Sequence, residues 1–189
     1  MNLRPKMILK AKGESANLST TSLQATMGWK TAVDLDLHVF GITKTGQSKH
    51  VYFSHKNDVG IKHHGDEGVG NTVDHEWGNK EVCDIDLSHY DHVVVAANIF
   101  SGGTNFGSLG GVVAVVAGGE RIDVEMVEKS KGSWCTIAHL DNTKITPQLK
   151  SVNVTTKSQP SLQKVIDGTL SPDVGASGGG RGLLGRIFG

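Results

Sequence analysis

The sequence predicts an all-β protein, a β-sandwich with short helical turns and a flexible C-terminal tail. Segments of strand length recur at a spacing of roughly ten residues, with Gly, Ser, Thr or Asn between them. Glycine is abundant at 25 residues, whereas aromatic residues make up 5% of the chain. This composition is typical of a turn-rich β-protein.

The predicted strands follow one another along most of the chain. They are MILKA at 7–11, ANLS at 16–19, LQATMGW at 23–29, VDLDLHVF at 33–40, HVYFS at 50–54, EVCDIDL at 81–87, HVVVAANIF at 92–100, GVVAVVA at 111–117, RIDVEMV at 121–127, WCTIAHL at 134–140 and LKSVNVT at 149–155. The fourth segment alternates strictly between acidic or aromatic residues and aliphatic ones, which predicts a strand with two different faces. DLSHYD at 86–91 predicts one helical turn, and Ser161–Asp167 a short helix.

A change in composition near residue 156 predicts the domain boundary. Residues 1–156 hold the predicted sandwich, and residues 157–189 a linker with an apolar docking tail. GASGGG at 175–180 has the composition of a flexible linker. The tail RGLLGRIFG carries four large apolar residues that cannot bury themselves alone, namely Leu183, Leu184, Ile187 and Phe188.

Bulk composition excludes several classes of protein. The 19 basic and 19 acidic residues balance, so there is no general electrostatic reason to bind nucleic acid or acidic lipid. Two cysteines are too few for a disulfide framework. The longest apolar run, VVAVVA at 112–117, is too short to span a bilayer. The N-terminus lacks a signal-peptide pattern, and these features together predict a soluble cytoplasmic protein without a membrane span.

Acidic residues and histidines concentrate in the middle of the chain, where they predict a calcium site. Eleven of the 19 acids and eight of the nine histidines lie between residues 34 and 92. Calcium takes six to eight oxygen ligands from carboxylates, amides and carbonyls, and glycine lets a loop fold around an ion. The candidate ligands are Asp34, Asp36, Asp66, Asp74, Glu76, Asn79 and Glu81.

Two alternatives to calcium remain open from the residues alone. In the first, Asp34 and Asp36 lie on the solvent-exposed face of an edge strand and the loop is merely polar. In the second, His63, His64 and His75 bind zinc, nickel or copper together with a carboxylate. The histidines lack a compact metal-binding spacing, and the sequence contains no EF-hand pattern.

Six motifs, in this order, resemble the TerD family of tellurite-resistance and stress-associated calcium-binding domains. They are LKAKGESANLS at 9–19, MGW at 27–29, VDLDLHVF at 33–40, HHGDEGVG at 63–70, GNKEVCDIDL at 78–87 and TNFG at 104–107. The resemblance covers about residues 8–155. It implies a β-sandwich that carries a calcium pair at one end and has no catalytic apparatus.

The resemblance also assigns individual positions. It implies that Asp34 and Asp36 match the paired acids of the family's strand motif, and that Asp66 and Glu81 match acids of its two loop motifs. Gly68 and Gly70 match its loop glycines.

Several departures from the family pattern predict a weakened site. Asn79 and Lys80 stand where the family has two further acids, Val69 replaces a glutamate, and an insertion at 71–77 separates the half-motifs. Fewer carboxylates lower calcium affinity, so one calcium ion is expected rather than two. Lys80 is a candidate to replace an ion with its own ammonium group.

The residues provide no pattern for an enzyme. Phosphate loops, nucleophile elbows and dinucleotide fingerprints are absent from the sequence. Cys135 and His139 are expected on one face of a strand, too far apart for a catalytic dyad.

Two hypotheses of function follow. The first is a non-catalytic calcium-binding protein of the tellurite-resistance or stress type. The second is a structural subunit of a bacteriophage particle with a degenerate calcium site, held in an oligomer or larger assembly by a protein partner of the tail.

Overall fold

The computed structural model describes residues 6–65, 78–101 and 105–173, and it confirms the predicted all-β sandwich. The strands are β1 Met7–Leu9, β2 Ser15–Asn17, β3 Ser22–Trp29, β4 Asp34–Thr43, β5 Ser48–Val51, β6 Asn57–Asp58, β7 Ile61–His63, β8 Asn79–Asp86, β9 Tyr90–Ser101, β10 Val112–Ala117, β11 Glu120–Glu125, β12 Trp134–Asp141 and β13 Gln148–Thr156. Turns of 3₁₀-helix cover Leu87–His89 and Phe106–Ser108, and helix α1 covers Leu162–Ile166. The described part contains no helix long and apolar enough to cross a membrane.

The strands form two sheets. The first sheet has the order β1-β11-β10-β3-β8-β7-β6, and the second has the order β2-β13-β12-β9-β4-β5. Strand β1 runs parallel to β11, and the long central pairs β3–β8 and β4–β9 are antiparallel. The core lies between the sheets, and its fully buried side chains include Trp29, Leu35 and Leu37.

The outer face of the second sheet is also covered. Val165 and Leu170, in and after α1, pack with Phe40, Val94 and Val154 into a second apolar cluster. The packed unit therefore extends at least to Leu170, and the predicted boundary at residue 156 falls inside it. Helix α1 lies within the segment 161–167 predicted as a short helix, and Ser161 caps its start.

A β-bulge in β12 corrects one expectation. Ile137 and Ala138 are consecutive in the chain, yet both belong to the core, because the register shifts between Thr136 and Ala138. The bulge reverses the alternation, so Cys135 packs in the core while His139 lies on the outer face against His92. The expectation that Cys135 and His139 share a face is wrong.

Candidate metal-binding site

The candidate site lies where β8 begins, at the end of the sandwich that receives the loop after β7. Burial alternates along β8, with Asn79 and Glu81 pointing inward and Lys80 on the opposite face. Asn79 is 6% exposed and Glu81 is 1% exposed. Because Lys80 faces away from Glu81, the hypothesis that its ammonium replaces an ion beside this carboxylate is wrong.

The Glu81 side chain links the two sheets. Its Oε2 atom accepts a hydrogen bond from the backbone N–H of Leu37 in β4, at 2.5 Å. This stretch of β4 lies beyond the part paired with β5, which covers Val39 to Ile42. The carboxylate therefore satisfies a backbone donor at a free strand edge through one of its two oxygens.

His63, on the neighbouring strand β7, contacts the same carboxylate oxygen. Its Nε2 lies 3.5 Å from Glu81 Oε2, and both side chains are fully buried. The backbone N–H of Gly65 donates to His63 Nδ1 at 3.0 Å. Because Nδ1 accepts this bond, Nε2, which faces Glu81, is the ring nitrogen available to carry a proton.

Burial shifts the acid–base behaviour of Glu81. Desolvation raises the pKa of Glu81 to about 7, and the nearby Asp36 carboxylate acts in the same direction. His63 and the Leu37 N–H oppose the shift because they stabilise the charged form. The ionised carboxylate is thus poorly compensated by the groups around it.

The two predicted acids of β4 lie at the beginning of this strand, in the second sheet. Asp34 and Asp36 occupy the first and third positions of β4, on the face opposite Leu35 and Leu37. Asp36 is 5% exposed, so the alternative that these acids lie on a solvent-exposed strand face does not hold for Asp36. Asp36 contributes the smallest of the influences that shift the pKa of Glu81, which lies in the other sheet.

Three buried oxygen atoms near the start of β8 have no hydrogen-bond partner among the described residues. They are Thr31 Oγ1, Asn79 Oδ1 and Glu81 Oε1, and the buried His63 Nε2 beside Glu81 likewise makes no hydrogen bond. Buried polar atoms are nearly always satisfied, so each exception indicates a missing partner. Carboxylate, amide and hydroxyl oxygens are ligands that calcium accepts. The residues present therefore fit a hard cation.

The rest of the predicted ligand set, except for Asp34, belongs to segments beyond the described residues. Asp66, Asp74 and Glu76 lie outside the described residues, as do His75 and the tail residues Leu183, Leu184, Ile187 and Phe188. Within the described ranges, no three residues of the His, Cys, Asp and Glu types form a group able to hold a metal ion. Neutral oxygens must therefore contribute to any site built from this part of the chain.

The two described histidines of the transition-metal alternative do not meet. His63 points inward to Glu81, whereas the His64 Nε2 contacts Asp84 Oδ2 at 2.7 Å on the outer side of the sheet. Adjacent residues of an extended segment face opposite sides. His63 uses its Nδ1 as an acceptor for the Gly65 N–H, and its Nε2 is buried 3.5 Å from Glu81 Oε2 without a hydrogen bond, on the opposite side of the sheet from His64.

Sequence reasoning missed the contributions of Thr31 and His63 to this arrangement. Thr31 follows the MGW motif and precedes the acidic strand, but an isolated threonine in a loop carries no signal of its own. His63 was considered only as a metal ligand, and its contact with Glu81 depends on the pairing of β7 with β8.

Comparison with known proteins leaves the family open. A scan against models of protein families finds no match. A search of curated proteins finds no similar sequence. The resemblance to the TerD family rests on the six sequence motifs and stays a prediction.

Proposed function

We propose that this protein is a non-catalytic calcium-binding β-sandwich of the TerD type, which acts as a binding or assembly module. The observation that carries the proposal is the pair of unpartnered oxygens, Asn79 Oδ1 and Glu81 Oε1, buried where the sequence placed its calcium ligands. Both belong to the predicted ligand set, and a calcium ion is a partner that suits carboxylate and amide oxygens.

The chain's own residues prepare this end of the sandwich for an ion. The Leu37 N–H holds one oxygen of Glu81, so the other oxygen is directed away from the strand edge. Asp36 adds a second buried carboxylate. Asp34 and the loop acids Asp66, Asp74 and Glu76 complete the proposed set. Calcium, when bound, supplies positive charge that compensates carboxylates drawn from both sheets.

The proposed role is binding, in stress response or tellurite resistance, within the cytoplasm. It follows from the TerD resemblance and from the absence of catalytic motifs in the sequence. Calcium binding would then stiffen one end of the sandwich and its loop for a partner, since an ion shared between two sheets restrains both.

Titration calorimetry of calcium into the full chain tests this proposal. We expect heat with a micromolar dissociation constant, and we expect Asp36→Asn to abolish it because a charged ligand is lost. Asp84→Asn is the matched control, since Asp84 lies on the outer face of β8. Absence of heat up to millimolar calcium in the parent protein would disprove the calcium function.

The tail favours a second candidate, a structural subunit of a bacteriophage particle that retains a degenerate calcium site. Leu183, Leu184, Ile187 and Phe188 follow a glycine-rich linker, a composition suited to docking in the groove of a partner. The protein would then be found in the virion as part of an oligomer. Sedimentation velocity tests this candidate: the parent chain should self-associate or bind particle proteins, and Leu184→Asp with Phe188→Asp should prevent it.

A further inference from the structure

We propose that Thr31 is a ligand of the bound cation, and that the described part of the site consists of three side-chain oxygens. They are Thr31 Oγ1, Asn79 Oδ1 and Glu81 Oε1. This inference rests on the proposed calcium function. It adds a ligand that neither the composition of the sequence nor the TerD resemblance assigned.

The loop between β3 and β4 holds Thr31 beside Asn79. Trp29, the last residue of β3, pairs with Asn79 at the start of β8. The indole Nε1–H of Trp29 donates to the Val33 carbonyl at 2.7 Å, which closes the loop over the end of the strand. The Asn79 Nδ2 donates to the Thr31 carbonyl at 3.1 Å. These contacts place Thr31 directly against the predicted ligand Asn79.

The side chains of Asn79 and Glu81 each use one polar atom in a hydrogen bond to the protein and leave one oxygen without a partner. Asn79 donates through its nitrogen to Thr31, so its Oδ1 must point elsewhere, and that atom is buried without a partner. Glu81 accepts through Oε2 from Leu37, and its Oε1 is likewise buried without a partner. Because Asn79 and Glu81 are two residues apart on one strand face, their unused oxygens lie along one row.

The chemistry of this row selects the class of ligand. It offers one carboxylate and two neutral oxygens, while the nearby His63 Nε2 lies 3.5 Å from the other oxygen of Glu81, Oε2. A set in which oxygens predominate suits a hard, oxygen-preferring cation such as calcium. A low count of charged ligands gives a weaker site than an all-carboxylate one. Asn79 and Thr31 thus act as neutral ligands where the family pattern has acids nearby.

A pair of threonine substitutions tests the inference on the full chain. Thr31→Val keeps the shape of the side chain and removes the hydroxyl. We expect the calcium dissociation constant to rise about tenfold or more, and the rise of the melting temperature with calcium to shrink. Thr31→Ser keeps the hydroxyl and should bind calcium almost as well as the parent.

The matched control is Thr136→Val. The Thr136 hydroxyl is also buried without a hydrogen-bond partner, but it lies in β12 of the second sheet. This substitution should leave the calcium constant unchanged. In EDTA neither valine variant should melt below the parent protein, because each removes a hydroxyl that had no partner to lose.

Each outcome decides the question. If the parent binds calcium and Thr31→Val binds it equally well, Thr31 is not a ligand and only this inference fails. If Thr31→Val melts lower than the parent in EDTA, the hydroxyl has a structural partner and the inference fails as well. If the parent binds no calcium, the proposed function and the inference fail together.

Discussion

Two buried sets of charged residues in the first sheet are built in different ways. On β11, Arg121 donates to Asp123 through Nε and through a terminal nitrogen, each at 2.7 Å. On β8, Glu81 is at least as deeply buried, but only one of its oxygens has a hydrogen-bond donor. The first arrangement compensates its charge within the protein, and the second does not. This contrast shows that burial alone does not single out the candidate site, and that the uncompensated oxygen of Glu81 is what distinguishes the two sets.

The largest expected effect comes from breaking the buried ion pair of Arg121 and Asp123. Asp123→Ala leaves the buried Arg121 guanidinium without its carboxylate, so we expect the free energy of unfolding to fall by about 3 kcal/mol or more. Urea unfolding at pH 7 measures it. The double substitution Arg121→Met with Asp123→Leu removes both charges and should recover most of the loss. If Asp123→Ala were as stable as the parent, Asp123 would not compensate the charge of Arg121 as described.

Glu81→Gln tests the uncompensated carboxylate of β8. In EDTA the loss of stability should be small, because a neutral amide suits this buried position better than an uncompensated carboxylate. Calcium at a hundredfold excess over its dissociation constant stabilises a folded protein by about 2.7 kcal/mol. The parent should gain this amount and the variant none. Unfolding curves with and without calcium give both values, and equal calcium gains would rule out Glu81 as a ligand.

A histidine pair on the second sheet, His139 and His92, provides an intermediate case. His139 Nε2 lies 3.1 Å from His92 Nδ1, and burial lowers the pKa of His139 to about 4. The unfolded chain takes up this proton near pH 6.5. Stability from His139 is therefore fully present above pH 6.5 and is lost as the pH falls toward 4.

Substitution of His139 measures this pH dependence. The free energy of unfolding of the parent falls between pH 7.5 and pH 4.5, and we expect this fall to be about 2 kcal/mol smaller in His139→Gln. Urea unfolding at the two values measures the difference. His55→Gln, at a histidine whose side chain is 57% exposed, is the control and should retain the parent's slope. If the free energy of unfolding changes equally with pH in the parent and in His139→Gln, His139 is not the source of this pH dependence.

The smallest effect is expected at the surface. Lys6 and Glu120 form an ion pair at 2.6 Å with both side chains substantially exposed, immediately beside Arg121 in sequence. Glu120→Gln should change the free energy of unfolding by no more than about 0.5 kcal/mol, because water already solvates both charges. The same urea titration checks it. A loss near that of Asp123→Ala would mean that burial does not separate the two pairs.

The alternation of side chains along the strands and the turn-forming residues between them were enough to predict most of the fold. The alternation of Asp34 to Phe40 with aliphatic residues anticipated the two faces of β4, and Ser161 marked the start of α1. The strands β6 and β7 were missed because two or three residues are too few to show a period. The bulge in β12 was missed because a register shift depends on the partner strands.

The candidate site was predictable in its residue types but not in its assembly. Asp36, Asn79 and Glu81 stood out as oxygen ligands in an acidic segment. The partner of Glu81 is a backbone N–H in the other sheet, 44 positions away in sequence, and no local pattern encodes that contact. Whether an oxygen is satisfied depends on such tertiary contacts, so Thr31 became visible only in the structure.

The bulge in β12 makes the length of this strand as informative as its composition. A deletion of Ile137 would remove the bulge and restore strict alternation, with Ala138 and Leu140 still in the core and His139 still on the outer face. An added or lost residue in the regular part of the strand would instead turn the side chains beyond it to the opposite face. Related sequences should therefore tolerate the loss of one residue at Ile137 better than a gain or loss elsewhere in β12.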